Sequence, residues 1–245
     1  MLLAALGILI EVVAPLLLAL ALTRGQPRRL KGLAWGAGLF LAASAVKQLL
    51  LAAGVERLWG HGSQGWPLIR QAAGVGMFVS VVEETVRFSI GRVPLREDRS
   101  SLFSAAAPFG TGWGGLECLL IAVHYGVALF SSQGPVPLPL LSLLAAAERL
   151  SGLTLQVALS GLAAQSARRP SLPLFGLAVW IHAVADGVVR ALSVPIRRSL
   201  EAGDFAETLK GECLLQAVFG LIAFGSLAAV GLLSRVKRRR EAPVG

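Results

Sequence analysis

Seven apolar runs of about 20 residues divide this chain, at roughly 2–22, 33–53, 68–90, 112–130, 138–166, 172–192 and 211–233. Each is long enough to cross the hydrocarbon of a bilayer, and that decides the fold class. Lipid offers no water to backbone N–H and C=O groups, so a spanning segment must close its hydrogen bonds within itself or within a sealed barrel. Continuous apolar runs, rather than alternating ones, predict helices. The expected fold is therefore all-α, a polytopic transmembrane bundle of about seven helices. Without an internal repeat or a long linker, residues 1–245 read as a single integral membrane domain. Pro135, Pro137 and Pro139 at the head of the fifth run predict a tilt or a break there.

Only 15% of residues are charged, against roughly 25% in a soluble domain, and membrane lipid is the first partner this implies. A net charge of +9 raises the question of nucleic acid. The basic residues, however, fall in short clusters between apolar runs, where they set topology, and this argues against nucleic acid as a partner. Cys118 and Cys213 each lie in an apolar run and read as small packing residues. Basic residues follow the first run directly, which predicts a retained helix rather than a cleaved leader.

Those clusters predict an orientation. Arg24, Arg28, Arg29 and Lys31, then Arg92, Arg96 and Arg99, then Arg168 and Arg169, and finally Arg235 and Lys237 to Arg240 all fall on one side of a seven-span bundle. The opposite connections hold only Arg57, Arg197, Arg198 and Lys210. A multi-pass protein of the cell membrane is expected, with its N-terminus outside and its C-terminus cytoplasmic.

Against this apolar background, ionisable residues inside the spans stand out. A charge at mid-bilayer costs roughly 2.5 to 3.5 kcal/mol on insertion scales, so each is a functional-site hypothesis. Glu83, Glu84 and Arg87 lie together in the third run. The simplest account pairs Glu83 with Arg87 four residues on, with Glu84 turned to solvent or to another helix. The sharper one places both carboxylates in a confined cavity, one acting as a base toward water while Arg87 keeps the other ionised. Gly110-Thr111-Gly112-Trp113-Gly114-Gly115 matches G-x-G-x-x-G, but without a preceding strand it is no dinucleotide fingerprint. Clustered glycines in a membrane helix allow close backbone approach, here predicted to bring Glu117 against the helix bearing Glu83 and Glu84. His124 follows on the same helix face and reads as a packing residue. Glu148 and Arg149 read as a structural pair or interface anchor. Trp35, Trp59, Trp66, Trp113 and Trp180 read as an aromatic belt.

His182 and Asp186, four apart in the sixth run, offer an imidazole and a carboxylate on one helix face. Such a pair can orient a histidine tautomer or contribute two metal ligands. Glu83, Glu84, Arg87 and Glu117 are expected near the cytoplasmic face. His182 and Asp186 are expected about mid-membrane, offset by one to two helical turns.

The ordered set E-E-x-x-R at Glu83 to Arg87, G-x-G-x-x-x-x-E ending at Glu117, and H-x-x-x-D at His182 to Asp186 resembles the YhfC family of intramembrane proteases. That family is related to the PrsW proteases and to the CAAX- and bacteriocin-processing enzymes. The resemblance covers about residues 70–190. It implies Glu83 and Glu84 as water-activating carboxylates, Arg87 as their charge partner, Glu117 as a second-helix acid, and His182 with Asp186 as a ligand or oxyanion-stabilising pair. It also implies catalysis with or without a divalent metal such as zinc. Where the layout would place two further histidines, this chain has Trp113 and Gln156.

The functional expectation is a peptidase that hydrolyses a membrane-associated peptide near the cytoplasmic face. A noncatalytic scaffold or regulator, similar to the seven-helix scaffold subunit of gamma-secretase, is the alternative. A proton-coupled transporter comes third.

Overall fold

A computed structural model describes residues 2–54, 58, 65–97, 102–131, 139–168 and 170–241. Among these, eight helices follow in order: α1 (Leu2–Thr23), α2 (Pro27–Ala52), α3 (Gly65–Ser89), α4 (Arg92–Glu97), α5 (Leu102–Ser131), α6 (Pro139–Arg168), α7 (Leu172–Glu201) and α8 (Phe205–Glu241). Seven are long, one for each apolar run. The eighth, α4, is a six-residue helix at the α3–α5 connection. Turns at Gly25 and Gly203 follow α1 and α7, each glycine with positive φ, the left-handed conformation that terminates helices at little cost. Pro135 and Pro137 lie outside the described residues. From Pro139 onward α6 is one uninterrupted helix.

Five of these helices, α1, α2, α5, α7 and α8, contain stretches long and apolar enough to cross a membrane. Leu9, Leu17, Leu20, Leu49, Val123, Trp180, Leu221 and Phe224 among others are exposed on their outer faces. So much exposed apolar surface is a lipid-facing belt. The chain is a multi-pass membrane protein.

α3 and α6 carry more charge and are accommodated differently. α6 runs through the centre of the bundle, packed on α1, α3, α4, α5, α7 and α8, and from Leu155 to Ala164 it is buried without a break. Its polar residues therefore meet protein, not lipid. α3 presents Met77 and Val81 outward and buries Ser80, Glu83, Glu84 and Arg87.

Glycines set which helices touch. A Cβ on Gly112 would fall 2.0 Å from the Leu33 carbonyl oxygen of α2, and one on Gly36 would fall 2.0 Å from the Phe109 carbonyl oxygen of α5. These two helices interlock reciprocally. Gly110 abuts Gln156 and Val157 of α6 in the same way. The glycine-rich run thus seats α5 on α2 and α6, and not on α3 as its spacing predicts. A run of small residues signals close approach but not the partner. On the other side of the bundle, Gly76 of α3 lies against Ala183 and Gly187 of α7, and this contact brings the α3 acids to His182.

Four helices, α2, α3, α5 and α8, also start earlier than their apolar runs, α5 at Leu102 rather than 112 and α2 at Pro27 rather than 33. Glu117 consequently sits near the middle of α5, while Glu83, Glu84 and Arg87 keep to the last two turns of α3. The α1–α2, α3–α5 and α6–α7 connections gather at the basic end of the bundle, where Arg29 of α2 donates to Ser104 Oγ of α5 over 3.4 Å.

Candidate functional site: a charged cluster at the centre of the bundle

Three helices, α3, α5 and α7, deliver the predicted residues to one place. Glu84 accepts a 2.8 Å hydrogen bond at Oε1 from His182 Nδ1. His182 Nε2 lies 3.8 Å from Glu83 Oε2 and 3.8 Å from Asp186 Oδ2. The expected offset of one to two turns between the acids and the histidine is therefore closed by direct contact.

The charge pairing differs from the simplest reading. Arg87 does not pair with Glu83. Its Nε faces Glu84 Oε2 at 3.5 Å, three residues away, while Glu83 accepts a 2.6 Å hydrogen bond from Lys47 of α2. Both carboxylates consequently have a cation, Glu83 one from α2 and Glu84 one from its own helix. Opposite charges in direct contact are what make burial of either tolerable.

Arg87 is fully enclosed. Its Nη1 donates to the Gln156 carbonyl oxygen at 3.1 Å and to Ser160 Oγ at 3.4 Å, and its Nη2 donates to Gln156 Oε1. Its guanidinium stacks 4.3 Å from the centre of the buried Trp113 ring. Trp113 is thus no interfacial belt residue; it forms the floor under the arginine, a cation–π contact that desolvation strengthens. Gln156 Nε2 in turn donates to Glu117 Oε2 at 3.3 Å. A continuous polar chain runs from His182 through Glu84, Arg87 and Gln156 to Glu117.

Lys47, Gln156 and Ser160 are the members that the sequence reading leaves out of the site. Lys47 lies near the end of its apolar run, outside the basic clusters that set topology, and reads there as one of the basic residues within or at the ends of helices. A second omission is Glu11, a buried acid in α1 whose Oε2 has no hydrogen-bond partner among the described residues.

One wall of the cluster faces a cleft of about 300 Å³. His182, Asp186, Lys47, Glu117 and Gln156 line it, as do the paired Glu148 and Arg149. Glu83, Glu84 and Arg87 are not among the lining residues; they lie behind His182. The two carboxylates nominated as the base toward water are therefore the groups that hold the cleft-facing residues in position. His124 is exposed on α5 and is not part of the lining.

No family model, curated protein or solved structure matches this chain.

Among the described residues, no three His, Cys, Asp or Glu side chains converge as a metal-binding set. The acids that zinc would need are engaged by Lys47 and Arg87 instead. The donor set does not fit a metal, and no step is assigned to one. What remains is a histidine that lines a polar cleft, with Nδ1 tied to a carboxylate and Nε2 3.8 Å from Asp186. With Glu84 accepting from Nδ1–H, the ring is held in the tautomer whose Nε2 carries the free lone pair.

Proposed function

We propose that the protein is an intramembrane peptidase, of the kind the YhfC-like motif order implies, with His182 rather than Glu83 or Glu84 as the base toward water. The observation that carries this reading is the Glu84–His182 contact, 2.8 Å at Nδ1, with Nε2 3.8 Å from Asp186, which lines the cleft beside it. A water within hydrogen-bond reach of both Nε2 and Asp186 Oδ2 would give a proton to Nε2 as its oxygen attacks the peptide carbonyl carbon. The imidazolium is stabilised by Glu84 and returns the proton to the departing amine. The Lys47 ammonium, drawn to the same corner by Glu83, is the cation available to the developing oxyanion. Glu83 and Glu84 act as positioning residues, and Arg87, Gln156 and Glu117 fix Glu84 from behind. The substrate is a membrane-associated polypeptide, because only a locally unwound segment held in a protein-lined cleft can present its backbone at this depth. With the basic ends cytoplasmic, the N-terminus is outside.

Mapping new protein N-termini in membranes from cells making the wild type or His182→Ala tests the proposal. Wild-type-dependent cleavages that vanish in His182→Ala and in Glu84→Gln are expected. Identical termini in all three samples would refute it.

One observation favours a noncatalytic scaffold instead. Lys47–Glu83 and Arg87–Glu84 are mutually compensated pairs tying α2, α3, α6 and α7 together, as a structural lock would be. On that reading, charge-neutralising substitutions change stability and co-purification of a membrane partner, and no cleavage product depends on His182.

A further inference from the structure

The cleft lies to one side of the cluster, and the other side is closed. α2, α5 and α7 lead away from the basic end of the bundle, and α3, α6 and α8 return to it. Leu51 is near the far end of α2, Val75 and Gly76 are in the first half of α3, Val189 and Arg190 are in the second half of α7, and Phe219 is in the first half of α8. All of these lining residues fall in the half of the bundle away from the basic end. On the basic side, Trp113 under Arg87 is followed by Phe88, Leu95, Ala106, Phe109, Leu159 and Leu162, all buried in one apolar core. An interior packed to native density leaves no path for water or an extended chain. A separate hollow at the basic end, lined by Thr85, Arg92, Ser166 and Ser171 among others, shares no residue with the cleft.

Water and peptide must therefore reach His182 from the half that carries Asp186 and Arg190. With the basic ends cytoplasmic, that half is the outer one. We infer that the cleft is filled from the non-cytoplasmic side, so that its substrates are membrane-anchored polypeptides that enter it from the outer half of the bilayer. This rests on the hydrolase reading for the word substrate, but the direction of access can be measured without catalysis.

In a chain with Cys118→Ala and Cys213→Ser, single cysteines are introduced as Val189→Cys in the cleft wall, Ala202→Cys at the α7–α8 turn, Ser171→Cys at the α6–α7 turn, and Leu162→Cys in the core. Intact cells and inverted vesicles are then treated with a membrane-impermeant maleimide. Labelling of Val189→Cys and Ala202→Cys in intact cells is expected, with Ser171→Cys labelled only in inverted vesicles and Leu162→Cys in neither. Labelling of Val189→Cys together with Ser171→Cys, labelling at neither surface, or Ala202→Cys reacting only in inverted vesicles would overturn the inference. Adding His182→Ala leaves the pattern unchanged, so a failed peptidase reading shows as missing cleavage products and a failed access reading as the wrong labelling side.

Discussion

Arg87→Met offers a quantitative test of how the cluster is held together. Arg87 is fully buried and makes three hydrogen-bond contacts with α6, to the Gln156 carbonyl, the Gln156 side chain and Ser160. If these were only interhelical hydrogen bonds in a membrane protein, each at about 0.6 kcal/mol, the loss would be about 2 kcal/mol. Glu84 changes the sum, because methionine leaves its buried carboxylate facing no cation at Oε2. Removing one partner of a buried pair costs about 3 to 5 kcal/mol, and this larger effect should dominate. The double variant Glu84→Gln/Arg87→Met removes the orphaned charge and should be more stable than the sum of the singles predicts, by about 1 to 3 kcal/mol of coupling. Reversible unfolding in mixed detergent and SDS micelles, followed by far-UV circular dichroism, measures all three. A loss below about 1 kcal/mol for Arg87→Met, or strict additivity in the cycle, would refute the buried-pair account.

Other consequences are checked in the same assay. Gly112→Ala drives a methyl into the Leu33 carbonyl and should cost about 1 to 3 kcal/mol by overpacking. By contrast, Gly225→Ala in α8 meets nothing within 4 Å and should gain about 0.5 to 1 kcal/mol of helix stability. Lys47→Met should cost about 2 kcal/mol, less than Arg87→Met because the lysine side chain is 18% exposed; Lys47→Met/Glu83→Gln should recover part of it. Replacing His124, exposed on α5, with alanine should shift stability by no more than about 0.5 kcal/mol and leave His182-dependent cleavage intact.

The long helices are legible in the sequence because lipid imposes one rule on every spanning segment, and the apolar runs report it directly. Their ends are less so. α5 opens with Leu102 to Phe109, alanine-rich and containing Pro108, and Ala105 to Phe109 are buried in protein instead of lipid, so the apolar run does not mark where this helix begins. Glu83, Glu84, His182 and Asp186 are recognisable because a charged side chain is conspicuous where its neighbours are apolar. Their pairing is not. Spacing on one helix favours Glu83 with Arg87, yet Lys47 arrives from α2, and no local pattern encodes a contact across 36 positions. Gln156 stands out in the sequence only as a place where the resemblance would put a histidine; its role as the link between Arg87 and Glu117 depends on α6 being central, which follows from packing. The glycine-rich stretch signals a close contact but misdirects its partner, since Leu33 and Gly36 on α2 and Gln156 and Val157 on α6 are what receive it.

The central claim is that water activated at His182 cleaves a peptide bond inside the bundle. Its most direct test is to supply membranes containing the wild type or His182→Ala with water enriched in oxygen-18 and to analyse the new C-termini of membrane-derived peptides by mass spectrometry. One heavy oxygen in each wild-type-dependent C-terminus, with those peptides missing from the His182→Ala sample, is the predicted result. Products of equal amount and labelling in both samples, or no product that depends on the wild type, would contradict it.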